Sequence, residues 1–375
     1  VTRGPLRVLW NGLVYDGSPG GANRRLTELL RALLSENTLP SNGQRPLEVV
    51  LLLAREVPPP IEHPCLEHLV APVVSSPTFA RAAFERGALA RTARERACHV
   101  VVHEAFPVPT IDELPILLTI HHLPGLSPVE ARAGFARRLI APGVIRRGLR
   151  RAARVVAVSE TTRREILDLG VLAEERAVVV PNAADHLPVP SPSPPRLEDL
   201  VVAVGHLERR KGSDLLLEAF ARLRARCPAA RLRLAGRGPL EASLRSRAQA
   251  LGIEASVEIR PAESDAELAD LYARAAVVAV PSRLEGFGIP LLEALRCGAP
   301  TVAADAGALP EVGASATLLV SGFEPGPWAS ALERVLTDQD LRLRLATAGP
   351  RRAAAYSWRS SARVLRELFA DLTDG

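Results

Sequence analysis

Glu285 and Glu293 stand eight positions apart in the segment Pro281-Ser282-Arg283-Leu284-Glu285-Gly286-Phe287-Gly288-Ile289-Pro290-Leu291-Leu292-Glu293. Carboxylates accept hydrogen bonds from hydroxyls, so a pair at this spacing suits a ligand rich in diols. The apolar run Ala276 to Val280 reads as a buried strand. Gly286 and Gly288 let backbone approach a ligand, and Pro290 fits the first helical position. This spacing puts Glu293 in the first turn of a helix opening just past a strand's carboxyl end, where free N–H groups attract anions. A second signal is Gly205-His206-Leu207-Glu208-Arg209-Arg210-Lys211-Gly212, where three consecutive basic side chains at the mouth of a helix suit a diphosphate. Lys211 is the only lysine among 47 basic residues, so the bias that favours arginine elsewhere spared it here. Taken singly, Glu293 also fits a partner of the helix dipole, and the basic run also fits a solvated face.

These loops need strands and helices to hold them. A chain of 375 residues exceeds one ordinary core and implies two domains. Pro188-Val189-Pro190-Ser191-Pro192-Ser193-Pro194-Pro195 has the composition of an extended linker near the midpoint, which places the domains at 1–187 and 199–356 with the linker at 188–198. Strand candidates in the first half are Leu6 to Trp10, Glu48 to Leu53, His99 to Val102, Ile116 to Ile120, Val155 to Val158 and Ala177 to Val180. The second half offers Leu200 to Val204, Arg231 to Ala235, Val257 to Ile259, Ala276 to Val280 and Thr301 to Ala304. Helical patterns such as Arg24 to Leu34 and Ser213 to Arg226 alternate with them. The alternation predicts an α/β chain of two doubly wound, Rossmann-like parallel sheets facing across a cleft.

Composition narrows the function. The spaced glycines of a dinucleotide site are missing after the strand at Leu200 to Val204, which argues against an NAD enzyme. Cys65, Cys98, Cys227 and Cys297 lack the paired spacing of a zinc site or redox dithiol. Asp338-Gln339-Asp340 has the letters of a metal-binding pair but opens a helical pattern, where an N-cap is expected. No apolar stretch approaches the roughly eighteen residues of a membrane span, and Arg7 to Asn11 reads as a strand rather than part of a signal peptide. Cytoplasmic residence is the expectation. The formal charge of +5 comes without a nucleic-acid recognition motif, so nucleic acid is not an expected partner. Arg132 to Arg154 carries eight arginines and no acidic residue, interleaved with aliphatics, and suits either a solvated face or peripheral contact with an anionic membrane at its inner face.

With both loops in view, the chain resembles the retaining glycosyltransferases of family 4, which have the two-domain GT-B fold. Further likeness lies in Gly20-Gly21-Ala22-Asn23-Arg24, Leu118-Thr119-Ile120-His121-His122-Leu123, Gly236-Arg237-Gly238-Pro239 and Tyr356-Ser357-Trp358. The resemblance implies a metal-independent hexosyltransferase without cofactor, taking a nucleotide diphosphate sugar as donor and a hydroxyl as acceptor. The acceptor can be a glycan, a lipid-linked molecule or a small molecule. The first domain would bind the acceptor, the second the donor, and a helix at 357–375 would cross back to the first. Arg210 and Lys211 would hold the diphosphate, Glu293 the ribose and Glu285 the transferred sugar. Backbone amides of Phe287, Gly288 and Ile289 would support the sugar or phosphate, and Gly20 and Gly21 would close over the diphosphate. His121 would stand near the reacting carbon. His206 takes a donor-loop position where many members carry arginine, and His122 stands where many have aspartate. A nucleotide-sugar epimerase of similar fold and a nucleotide-sugar-binding regulator without catalysis are the alternatives.

Overall fold

The computed structural model describes residues 4–18, 20–35, 45–74, 78–123 and 135–374. They form two compact units, Val1–Asn182 with Trp358–Gly375, and Ala183–Ser357. In chain order the first unit runs through β1 (Leu6–Asn11), α1 (Gly21–Ser35), β2 (Leu47–Ala54), β3 (Leu66–Ala71), α2 (Thr78–Glu95) and β4 (Val100–His103). It continues through β5 (Ile116–Ile120), α3 (Phe135–Arg151), β6 (Arg154–Ala157), α4 (Glu160–Leu167) and β7 (Ala177–Val179). The second unit holds β8 (Leu197–Val204), α5 (Ser213–Arg224), β9 (Arg231–Ala235), α6 (Glu241–Ala250), β10 (Val257–Ile259) and α7 (Asp265–Arg274). Then follow β11 (Ala275–Val280), α8 (Ile289–Arg296), β12 (Thr301–Ala304), α9 (Leu309–Gly313), β13 (Leu318–Val320), α10 (Pro325–Thr337) and α11 (Gln339–Ala353). The last helix, α12 (Trp358–Asp374), belongs to the first unit.

Both sheets are parallel. Their orders are β3-β2-β1-β4-β5-β6-β7 and β10-β9-β8-β11-β12-β13. Helix crossovers cover both faces of such sheets, which is why the inner strands are rich in aliphatic residues, as in Val100-Val101-Val102 and Ala275 to Val280, all buried. The strand order reverses between β1 and β4 in one unit and between β8 and β11 in the other. Loops leaving the carboxyl ends of those strands diverge and open a crevice in each unit. The predicted doubly wound, Rossmann-like class holds for both.

Two strands were not foreseen. β3 is an edge strand in which Glu67 and Val70 are exposed, Val70 by 66%, so it lacks the apolar run that marks the inner strands. β13 is an edge strand of three residues. The unit boundary also falls earlier than the proline-rich segment, between Asn182 and Ala183. Ala183, Ala184 and Leu187 are buried, and Arg296 on α8 donates to the Leu187 carbonyl at 3.0 Å, so the chain joins the second unit before its prolines. In the first unit α12 lies along α1 and buries Ala362, Leu365 and Phe369. Ser361 Oγ donates to the Pro181 carbonyl at 2.7 Å.

Candidate functional site

The crevice between β8 and β11 is built by two loops that lie backbone on backbone. After β8 the chain passes through Gly205, makes one 3₁₀ turn at Arg209–Lys211 and reaches Gly212, whose φ of 74° opens α5. A Cβ on Gly212 would sit 2.1 Å from the Pro281 carbonyl oxygen, so only glycine lets this loop rest on the one following β11. Arg283 fastens the two. Its amide donates to the Arg210 carbonyl at 2.7 Å, and its guanidinium donates to the Arg209 carbonyl at 2.6 Å and to Asp214 at 2.8 Å.

This stitching brings Lys211 onto Glu285. Lys211 Nζ donates to Glu285 Oε1, and Ser282 Oγ donates to the same oxygen at 3.1 Å. Glu285 is only 8% exposed. Burial alone would raise its carboxyl, but the charges of Lys211 and Arg210 and the Ser282 bond outweigh it and hold Glu285 below the usual carboxylate range. Its backbone is pinned as well, since the Glu285 carbonyl accepts from the Ala308 amide at 3.0 Å. Gly205, His206, Lys211, Ser282, Glu285 and Pro290 line one concavity at the ends of β8 and β11.

The remaining predicted residues of this unit occupy varied positions. His206 is exposed on the loop. Arg210 bonds to Glu208 at 2.8 Å, both side chains about one-third exposed at 31%. Gly288, at φ 98°, caps α8, and the amides from Phe287 to Ile289 lie at that helix start. The Phe287 ring is buried edge-on against Tyr356, centroids 5.5 Å apart, so what Phe287 offers a ligand is backbone. Glu293 departs from expectation. It lies in the second turn of α8, because the helix begins at Ile289, and is 5% exposed. Its oxygens meet side chains that sequence reasoning missed: Tyr272 Oη donates to Oε2 at 3.0 Å, and His186 Nε2 lies 3.1 Å from Oε1. Asp338 accepts from the Leu341 amide at 2.9 Å and caps α11, as its position predicted.

In the first unit Gly21 begins α1, and Gly20 accepts from the Arg24 amide at 2.9 Å. Gly20 and Gly21 thus expose the amino end of a helix. His121 follows β5, with Nε2 3.5 Å from Glu104 Oε2. Glu104, also unforeseen, accepts from Trp10 Nε1 at 3.2 Å. Of the basic stretch, residues 132–134 lie outside the described residues. On α3 Arg146, Arg147, Arg150 and Arg151 are exposed and Ile140 is 62% exposed. Among the described residues no helix is long and apolar enough to cross a membrane.

Comparisons with known proteins agree with this layout. Residues 191–352 match the family model of glycosyl transferases group 1, and residues 19–186 match that of glycosyltransferase family 4. A D-inositol 3-phosphate glycosyltransferase of Corynebacterium jeikeium is 40% identical over 179 residues, which cover 45% of this chain and 42% of the relative. The chain thus spans less than half the length of that curated relative. Sucrose-phosphate synthase from Thermosynechococcus elongatus superposes with a TM-score of 0.79 at 20% identity, covering 98% of this chain and 99% of that one. Anabaena Alr3699/HepE, solved in complex with UDP and glucose, superposes at 0.72 and 18% identity, covering 98% and 100%. With one glycosyltransferase model matched in each half and the fold of GT-B enzymes throughout, the chain belongs to the family 4 type of glycosyltransferases.

Proposed function

We propose that this chain moves a hexose-type sugar from a nucleoside diphosphate donor to an acceptor hydroxyl, with retention of configuration and without a metal ion. The observation that carries the reading is the Lys211–Glu285–Ser282 cluster, its carboxylate buried, at the point where the second sheet reverses its strand order. A cation fixed beside a sugar-holding carboxylate is what a sugar diphosphate requires. Negative charge grows on the departing diphosphate as the glycosidic bond breaks, and preorganised cations stabilise it most where water is excluded. Lys211 supplies one such charge. Arg210 supplies a second by leaving Glu208, an exposed pairing worth about 0–1 kcal/mol and easily given up. The amides at the start of α8 add dipoles.

Glu285 holds hydroxyls of the transferred sugar and Glu293 those of the ribose. The leaving phosphate takes the proton of the acceptor hydroxyl on the face it vacates, so the protein needs no nucleophile of its own. By the family resemblance, His121 is assigned to the reaction and Gly20 and Gly21 to the diphosphate. The acceptor is a hydroxyl-bearing molecule bound by the first unit. The exposed arginines of α3, with exposed Ile140, support contact with an anionic membrane at its cytoplasmic face. Vesicles containing anionic lipid should sediment the chain, and neutral vesicles should not.

A thermal-shift screen with UDP-, GDP-, dTDP- and ADP-sugars, followed by assays of nucleotide release, tests the reading, because a bound donor raises the melting point. A shift with one donor class, and sugar transferred to an acceptor, supports it. An epimerised nucleotide sugar released without acceptor would make the chain an epimerase. Binding with neither transfer nor hydrolysis would make it a regulator.

A further inference from the structure

Glu293 is held from two sides. Tyr272 Oη, on α7, reaches Oε2 at 3.0 Å, and His186 Nε2, just past the start of the second unit, reaches Oε1 at 3.1 Å. A carboxylate accepts only, so His186 bonds through the tautomer carrying its proton on Nε2. Burial first, and the neighbouring Glu293 charge second, push the Tyr272 hydroxyl well above its ordinary range, so it remains a donor. Tyr272 and Glu293 are buried, and the His186 side chain is 2% exposed.

The two donors fix the plane of the carboxylate. Its oxygens accept roughly four hydrogen bonds in all, and two of those directions are taken, which leaves one on each oxygen. Two remaining acceptors on adjacent oxygens match a vicinal diol, one hydroxyl to each. We infer that Tyr272 and His186 act as positioning residues for Glu293, and that the carboxylate so held restricts the donor to ribonucleotides offering both the 2′ and 3′ hydroxyls. The inference rests on the proposed donor reading and narrows it. A 2′-deoxynucleotide would leave one buried acceptor unpaired, a loss of roughly tenfold to a hundredfold in affinity. A carboxylate free to rotate would soften that loss by turning toward other partners or water.

Calorimetry with UDP, GDP and ADP, each beside its 2′-deoxy counterpart, tests this on the wild type, Tyr272→Phe and His186→Ala. The tightest ribonucleotide should bind at least ~10-fold more tightly than its deoxy form. That ratio should fall by ~3-fold or more in each variant, with the deoxy form affected less than the ribo form. Two variants guard against Tyr272→Phe failing to fold. Equal binding of ribo and deoxy forms by the wild type, or an undiminished ratio in the folded variants, would overturn the inference. Nucleotide binding that vanishes in Lys211→Ala yet ignores the 2′ hydroxyl would overturn it while leaving the donor reading intact. Absence of binding by all three diphosphates would overturn both.

Discussion

Replacing Lys211 by methionine keeps the apolar stem and removes the charge that faces Glu285. The side chains are 17% and 8% exposed, so Glu285 would be left as a buried carboxylate with Ser282 its remaining hydrogen-bond partner. Breaking a buried pair from one side costs about 3–5 kcal/mol. Lys211 is partly exposed and the field of Arg210 persists, which favours the lower end, about 3 kcal/mol. Glu285→Gln should cost less, about 1–2 kcal/mol, because the lysine can turn to water. The double variant has no unpaired charge and should lose about 2 kcal/mol less than the sum of the single losses. Urea unfolding at pH 7 measures all four proteins. A background of Trp10→Phe and Trp358→Phe leaves Trp328, buried in the second unit, as the only tryptophan to report on it. The sign of the pH dependence follows from the same geometry. Glu285 sits below its ordinary 4.5 in the folded chain, so its contribution is complete above that value and fades as pH falls through the folded value. Without Lys211, burial dominates, and the carboxylate destabilises near neutral pH until acid protonates it. The gap between wild type and Lys211→Met should therefore begin to narrow above 4.5, where the variant's raised carboxyl takes its proton, and go on narrowing below 4.5, where the wild type loses its contribution. A coupling under about 0.5 kcal/mol, or a gap that ignores pH, would refute the reasoning.

Gly212→Ala should lower stability by at least about 1–2 kcal/mol from its φ of 74° alone, with more from the Pro281 carbonyl 2.1 Å from the new Cβ. An unchanged melting temperature would show that the two loops do not rest on each other there. Deleting residues from Ser357 onward removes α12, whose Trp358, Leu365 and Phe369 each contribute about 1.5–3 kcal/mol by burial. The first unit should then unfold or aggregate, and circular dichroism of an intact, cooperative first unit would contradict its place there. Transfer activity should persist in excess chelator; a strict need for added divalent metal would count against the metal-free mechanism.

Much of this was legible because parallel sheets write themselves plainly. Inner strands buried on both faces favour aliphatic runs, so Ile116 to Ile120 could be placed to the residue, and Leu232, Leu234 and Ala235 were enough to place Arg231 to Ala235. β3 carries no such demand, with Glu67 and Val70 exposed, and β13 spans only three residues. Local sequence also announced the loops, since glycine at 212 and 288 and the lone lysine are each required by backbone geometry or charge. What stayed hidden were partners contributed by residues distant in sequence. Ser282 lay within the motif, but His186 is 107 positions from Glu293 and Tyr272 is 21. A single histidine or tyrosine gives no periodic signal of what it will meet. Glu104 behind His121 escaped for the same reason, and Ala183 and Leu187 read as the end of the first domain until the floor they pack into was present.

The central claim is that Lys211 holds the diphosphate of a sugar donor beside Glu285. Its most direct test is calorimetric titration of the nucleoside diphosphate sugar selected by thermal shift into wild type and Lys211→Ala. The account predicts saturable binding by the wild type and at least ~10-fold weaker binding by a folded variant, the loss of one charge-assisted contact. Equal affinity in the two proteins would contradict it.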